Sequence, residues 1–218
     1  MGLEAAGVPR PGTEWDFPLP EELQPLVHLL AATDSPRAPV VEPGVTEEGK
    51  LTPAAVLFPL VCRPEGVSVL LTLRSAHLKD HPGQISFPGG RREPEDTGPH
   101  QTALREAREE VGLDPAQVQL FGCLPEYRTS TGFRVTPVVG ALRPPLALVP
   151  DPFEVAEIFE VPLAFLLDPA NRQRHRVMWQ GREREYFALP YGKYFIWGAT
   201  AGMILSLASL LEEGDRRF

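Results

Sequence analysis

Three carboxylates recur at the spacing of a helical face: Glu106, Glu109 and Glu110, within Leu104-Arg105-Glu106-Ala107-Arg108-Glu109-Glu110-Val111-Gly112-Leu113. Pro99 suits a first helical turn and Gly112 the position just past the last, so a helix is expected over about 99–111. At roughly 100° per residue the three glutamates then share an arc of about 100°. Ala103, Leu104, Ala107 and Val111 fill the neighbouring arc, so the acidic arc borders the buried stripe. Like charges three and four apart repel by about a few tenths of a kcal/mol per pair, and a bound divalent cation would reverse that sign. Hard cations such as Mg²⁺ or Mn²⁺ take oxygen ligands, and Mg²⁺ shares its shell between carboxylates and substrate phosphates. Taken alone, however, such a triplet reads better as a solvated face, with Arg105 paired to Glu109 at i,i+4.

The residues in front of the helix change that balance. Phe87-Pro88-Gly89-Gly90 ends a short apolar run, and its two glycines let the backbone pass close to whatever lies beside the helix; the Gly90 carbonyl there could ligate metal. Gly90, Arg105, Glu106, Ala107, Glu109, Glu110, Gly112 and Leu113 together resemble the box of the Nudix hydrolases. One departure stands out: Asp96 replaces the first glutamate of the box, with eight residues rather than seven between it and Arg105, and Glu93 or Glu95 are alternatives for its task. The resemblance implies an α+β chain folded as an α/β/α sandwich around a mixed β-sheet. It implies Mg²⁺ or Mn²⁺ held by Glu106, Glu109, Glu110 and Gly90, and Arg105 orienting a glutamate through a charge-assisted hydrogen bond. The general base is either the box glutamate Glu109 or a carboxylate from a later loop, Glu154 or Glu157.

Leu70-Leu71-Thr72-Leu73-Arg74-Ser75, Leu78, His81, Gly83-Gln84 and Phe87 to Gly90 are similar to the signature of the coenzyme A pyrophosphatase branch. That likeness implies cleavage of coenzyme A or its thioesters to adenosine 3′,5′-bisphosphate and a 4′-phosphopantetheine product. Arg74, His81 and Arg91 are the expected substrate-binding cations, with Lys79 and Arg92 nearby. The rivals are a Nudix enzyme for ADP-ribose or a dinucleotide, and a non-catalytic nucleotide sensor; against the sensor, all three box carboxylates are present.

The supporting elements follow from pattern. Residues 1–18 read as a loose extension, and 19–50 as a helix with an acidic first turn followed by a polar connector. Residues 51–211 form the expected Nudix domain and 212–218 a tail. Within the domain, 54–61 and 67–74 read as a hairpin, with further strands over 84–87, 118–124, 133–142 and 155–161. One or two helical turns over 162–167, a meander over 177–197 and an apolar closing helix over 198–211 complete it. The arginines between 172 and 184 read as a solvated face, and Tyr186, Tyr191, Phe195 and Trp197 as core more than as a surface for adenine. A formal charge of −8 argues against nucleic acid as partner; the resemblance implies a small-molecule substrate, and a homodimer is open. Two cysteines in apolar contexts imply no disulfide framework and a reducing, cytoplasmic setting. The lack of a leader pattern or an 18-residue apolar run points away from secretion and membranes.

Overall fold

The computed structural model describes residues 19–31, 37–42, 45, 51–179 and 181–215; the expected loose extension lies outside them. Residues 54–61 alternate between two apolar environments, as a strand buried on both faces must. This strand, β2 (Thr52–Arg63), follows a short β1 (Val40–Val41) and is the axis of the molecule. It turns back through a hairpin into β3 (Gly66–Arg74) and runs parallel to β8 (Phe133–Leu142), from Thr52 opposite Phe133 to Val61 opposite Leu142. β4 (Ile85–Ser86) and β9 (Val155–Pro162) pair with β3, β5 (Gly89–Arg91) with β2, and β6 (Val118–Cys123) and β7 (Tyr127–Arg128) with β8. Strand β1 joins β7 in parallel, so the connector adds an edge to the sheet.

The two faces of β2 define two cores. Ala55, Leu57 and Val61 pack with Ala103, Ala107 and Val111 of helix α2 (Pro99–Val111). Phe58 and Leu60 point the other way, to Leu26 and Leu30 of α1 (Gln24–Ala31), Leu163 and Leu166 of α3 (Leu163–Leu167), and Ile204 and Leu207 of α4 (Gly198–Asp215). Helix α4 runs past the expected stop, so residues 212–215 continue a helix rather than begin the tail; Gly214 allows it, because a Cβ there would meet Leu29 Cδ1 at 2.7 Å. A separate sheet of β10 (Gln173–Trp179), β11 (Arg182–Tyr191) and β12 (Tyr194–Trp197) leans on α4 through the buried Leu189 and Ile196. Phe195 and Trp197, expected in the core, are 43% and 41% exposed, since strand alternation turns them away from Ile196. The result is a mixed sheet between helical layers, the α+β sandwich expected. No helix among the described residues is long and apolar enough to cross a membrane.

Candidate active site

Helix α2 starts and stops where its sequence requires. Pro99 occupies the first turn after Gly98, and Gly112 closes the helix at φ 67°, a left-handed conformation that glycine adopts without steric cost. Its N–H donates to Arg108 O at 3.0 Å and that of Leu113 to Ala107 O at 3.3 Å. The three glutamates meet three different environments. The Glu110 side chain is 4% exposed and that of Glu106 16%, whereas that of Glu109 is 59% exposed and tied to Arg105.

Strand β5 supplies the opposing wall. Gly89 N–H donates to Glu110 Oε2 at 3.1 Å. At Gly90 a Cβ would lie 2.5 Å from Glu106 Oε1, so the absence of a side chain is what lets that carboxylate approach the strand. Arg74, at the end of β3, places Nη1 3.7 Å from Glu110 Oε1, while its buried Nε has no hydrogen-bond partner among the described residues. Arg74 thus sits against a box carboxylate. Burial pushes Glu110 up to about 8; the Gly89 N–H and Arg74 oppose the shift, and Glu106 and Glu154 add to it. Glu106 is raised as well, first by burial, with Arg105 opposing and Glu109 and Glu154 reinforcing.

Arg105 is a hub. It donates from Nε and Nη2 to the two oxygens of Asp96 at 3.2 and 3.0 Å, from Nη1 to Glu106 and Glu109 at 3.0 Å each, and from Nη2 to Arg91 O at 3.0 Å. Asp96, 3% exposed, also accepts from Glu93 N–H and Thr102 Oγ1 at 2.9 Å. Burial alone would raise its carboxyl; Arg105 and the surrounding donors outweigh that and hold it below the usual range. A turn from Glu93 to Asp96 absorbs the additional residue of the loop, and Asp96, rather than Glu93 or Glu95, occupies the buried position. Thr102 gives no sign in the sequence beyond its place beside the buried stripe.

Strand parity separates the remaining candidates. Arg91 follows Gly90 and therefore points to the opposite face of β5, where its guanidinium lies over the Phe133 ring, 5.3 Å from the centroid. Only its carbonyl joins the hub; its side chain lies on the face of β5 away from Glu106, unlike the substrate-facing position expected for it. Glu157 pairs with Leu73, one residue from Arg74, and likewise faces away from Glu110. Its carboxylate accepts from Lys193 Nζ at 2.9 Å and Tyr194 Oη at 2.7 Å, so it too is displaced from the carboxylate pair. Glu154 adds to the upward push on both Glu106 and Glu110, and its carbonyl accepts from Ser75 N–H at 2.9 Å. His81 is exposed in the loop after Arg74, at φ 56°. That loop is closed at its base by Arg74 N–H to Gln84 O at 2.9 Å and Gly83 N–H to Arg74 O at 3.2 Å.

Among the described residues no three His, Cys, Asp or Glu side chains already converge as a metal-ligand set. The pair Glu106 and Glu110 nevertheless fits a hard divalent cation: its donors are all oxygen, and burial, which raises both carboxyls, would be offset by a bound cation that favours their charged forms. Such an ion would complete its shell with water, backbone carbonyl or phosphate oxygens.

A buried acidic pair backed by a glycine strand and an arginine hub offers the oxygen donors with which a divalent cation could assist attack on a phosphoryl group. Comparison with known proteins gives that class its family. The NUDIX domain model matches residues 51–180. Nudix hydrolase NudL of Photorhabdus laumondii subsp. laumondii, described as uncharacterized, is 43% identical over 159 residues, which span 73% of this chain and 84% of that protein. NudL of Escherichia coli strain K12 is 43% identical over 155 residues, 71% of this chain and 80% of its own. Among solved structures, the Nudix hydrolase RenU of M. smegmatis is 28% identical with a TM-score of 0.46, covering 57% of this chain and 79% of that one. The chain belongs to the Nudix hydrolase family, enzymes that split phosphoric anhydride bonds and generally use divalent metal ions.

Proposed function

We propose that the chain hydrolyses the diphosphate bond of coenzyme A or its thioesters, yielding adenosine 3′,5′-bisphosphate and a 4′-phosphopantetheine product, with Mg²⁺ or Mn²⁺ as cofactor. The observation that carries the chemistry is the buried Glu106–Glu110 pair lodged against Gly89 and Gly90. The choice of coenzyme A rests on the likeness of the segment from Leu70 to Gly90 to the signature of that branch. Glu106, Glu110 and the Gly90 carbonyl would hold the cation, with Glu109 beside them. When bound, the ion neutralises phosphoryl oxygens and lowers the pKa of a water.

The chain's own residues do the positioning. Arg105, locked by Asp96, holds Glu106 in one orientation. Arg74 and the Gly89 N–H hold Glu110. Glu154 is favoured over Glu157 and Glu109 as the proton acceptor, because it is neither engaged by Lys193 and Tyr194 nor tied to Arg105. His81 reaches solvent where an anionic substrate would enter.

Incubating the purified chain with coenzyme A, dephospho-coenzyme A and ADP-ribose, each with Mg²⁺ or Mn²⁺, and identifying products by mass tests this. Coenzyme A is expected to be cleaved with the highest kcat/KM. A preference for ADP-ribose would overturn the substrate and spare the chemistry; cleavage of none would favour a sensor.

A further inference from the structure

The segment that caps the C-terminal end of α2 also displays an aromatic ring. Val149 N–H donates to Val111 O and Asp151 N–H to Glu110 O, both at 2.9 Å, which satisfies two of the helix's last carbonyls. Asp151 then ties the turn together: its Oδ1 accepts from Phe153 N–H at 2.8 Å, and its carbonyl from Glu154 and Val155 N–H at 3.1 and 2.8 Å. On this turn Phe153 stands 66% exposed. Its ring neighbour is His77, from the loop after Arg74, with centroids 4.8 Å apart and planes at 60°.

Single exposed apolar side chains are ordinary on a protein surface. Phe153 differs in its setting. Its turn is hydrogen-bonded on both sides, so the ring is held rather than carried on a loose tip. It immediately precedes Glu154, whose charge reaches Glu106 and Glu110. Its partner ring lies three residues beyond Arg74, which touches Glu110. A fixed, open aromatic face beside a diphosphate-cleaving site suits a flat π-system belonging to the ligand, since a ring ordered in advance loses little entropy on binding.

We infer that Phe153, backed by His77, is a stacking platform for the purine base of the nucleotide half of the substrate. The inference rests on reading the site as a nucleoside diphosphatase. Phe153 is thereby a specificity residue and takes no part in the chemistry. Stacking contacts of this kind tolerate any base but not the absence of one.

AMP and ribose 5-phosphate differ only by the base, so calorimetric titration of the full chain with each, in the presence of Mg²⁺, isolates the platform from turnover. Phe153→Ala should weaken AMP about ten- to a hundredfold and leave ribose 5-phosphate unchanged, while Phe153→Trp keeps AMP near wild type. In steady state Phe153→Ala should raise KM for coenzyme A with kcat within about twofold. Unchanged AMP affinity in Phe153→Ala overturns the platform, as does an equal loss for both ligands. Phe153-dependent AMP binding by a chain that cleaves no diphosphate would sustain the platform and overturn the hydrolase reading.

Discussion

Glu110 shows at the residue scale why the metal and the fold are coupled. Without metal its folded carboxyl titrates at about 8, raised mainly by burial, while in the unfolded chain it ionises near the ordinary glutamate value. A raised folded pKa adds stability that is fully present below the unfolded value and lost as pH rises through the folded one. In chelator, stability should therefore fall between about pH 4.5 and 8, and Glu110→Gln should flatten that fall. Urea denaturation at a series of pH values measures it, and an equally steep decline in the variant would refute it. Catalysis should respond in the opposite sense. Glu106→Gln and Glu110→Gln should each lose activity by orders of magnitude while the helix, relieved of like-charge repulsion, stays folded by circular dichroism. Gly90→Ala is a finer probe: the new methyl overlaps the end of the flexible Glu106 side chain, so activity should drop at least about tenfold with little change in melting temperature.

Among the elements, α2 is positioned by a loop as much as by its own apolar stripe. Asp96→Ala would leave Arg105 without its two-point anchor and Thr102 Oγ1 without one of its acceptors. The Arg105 side chain is 21% exposed, so the expected cost, about 2–3 kcal/mol, lies at and below the lower end of that for breaking a fully buried pair; thermal denaturation would read it. The limits of α2 were legible because Pro99 and Gly112 are local signals, and the faces of β2 because alternation is local too. Which way Arg91 and Glu157 face was not. That depends on pairing partners far along the chain, and on a register shift between Leu73 and Arg74 that lets Val155 lie opposite Arg74. For the same reason the graded burial of Glu106, Glu109 and Glu110 escaped helical geometry. A wheel places all three in one arc, whereas β5 and Arg105 decide which of them are covered.

For the molecule as a whole, the helix before the Nudix match is part of the same core. Leu23, Leu26 and Leu30 are buried with Phe58 and Ile204, and Glu22 Oε1 accepts from Val67 N–H at 2.8 Å. Leu26→Ala should cost about 2–5 kcal/mol in a single unfolding transition; a separate early transition would instead mark residues 19–31 as an independent unit. Cation binding should act on the same equilibrium. If it favours the folded chain, Mg²⁺ or Mn²⁺ raises the melting temperature in proportion to RT ln(1 + [L]/Kd), and the rise vanishes in Glu110→Gln.

The closing turn of α2 at Gly112 also bears on the order of events in time. Partial negative charge gathers at a helix C-terminus, here on the turns that carry Glu106, Glu109 and Glu110, in a chain of formal charge −8. The two arginines that meet those glutamates, Arg74 and Arg105, are already committed to them. A polyanion approaching the metal-free chain therefore faces repulsion, whereas a cation is drawn to the same pole and leaves it receptive. The cation is therefore expected to bind before the diphosphate. A non-hydrolysable diphosphate analogue titrated into chelator-treated chain should give no measurable heat, with affinity emerging only once the cation is restored. Equal affinity in both conditions would show that the side chains alone suffice to seat the anion.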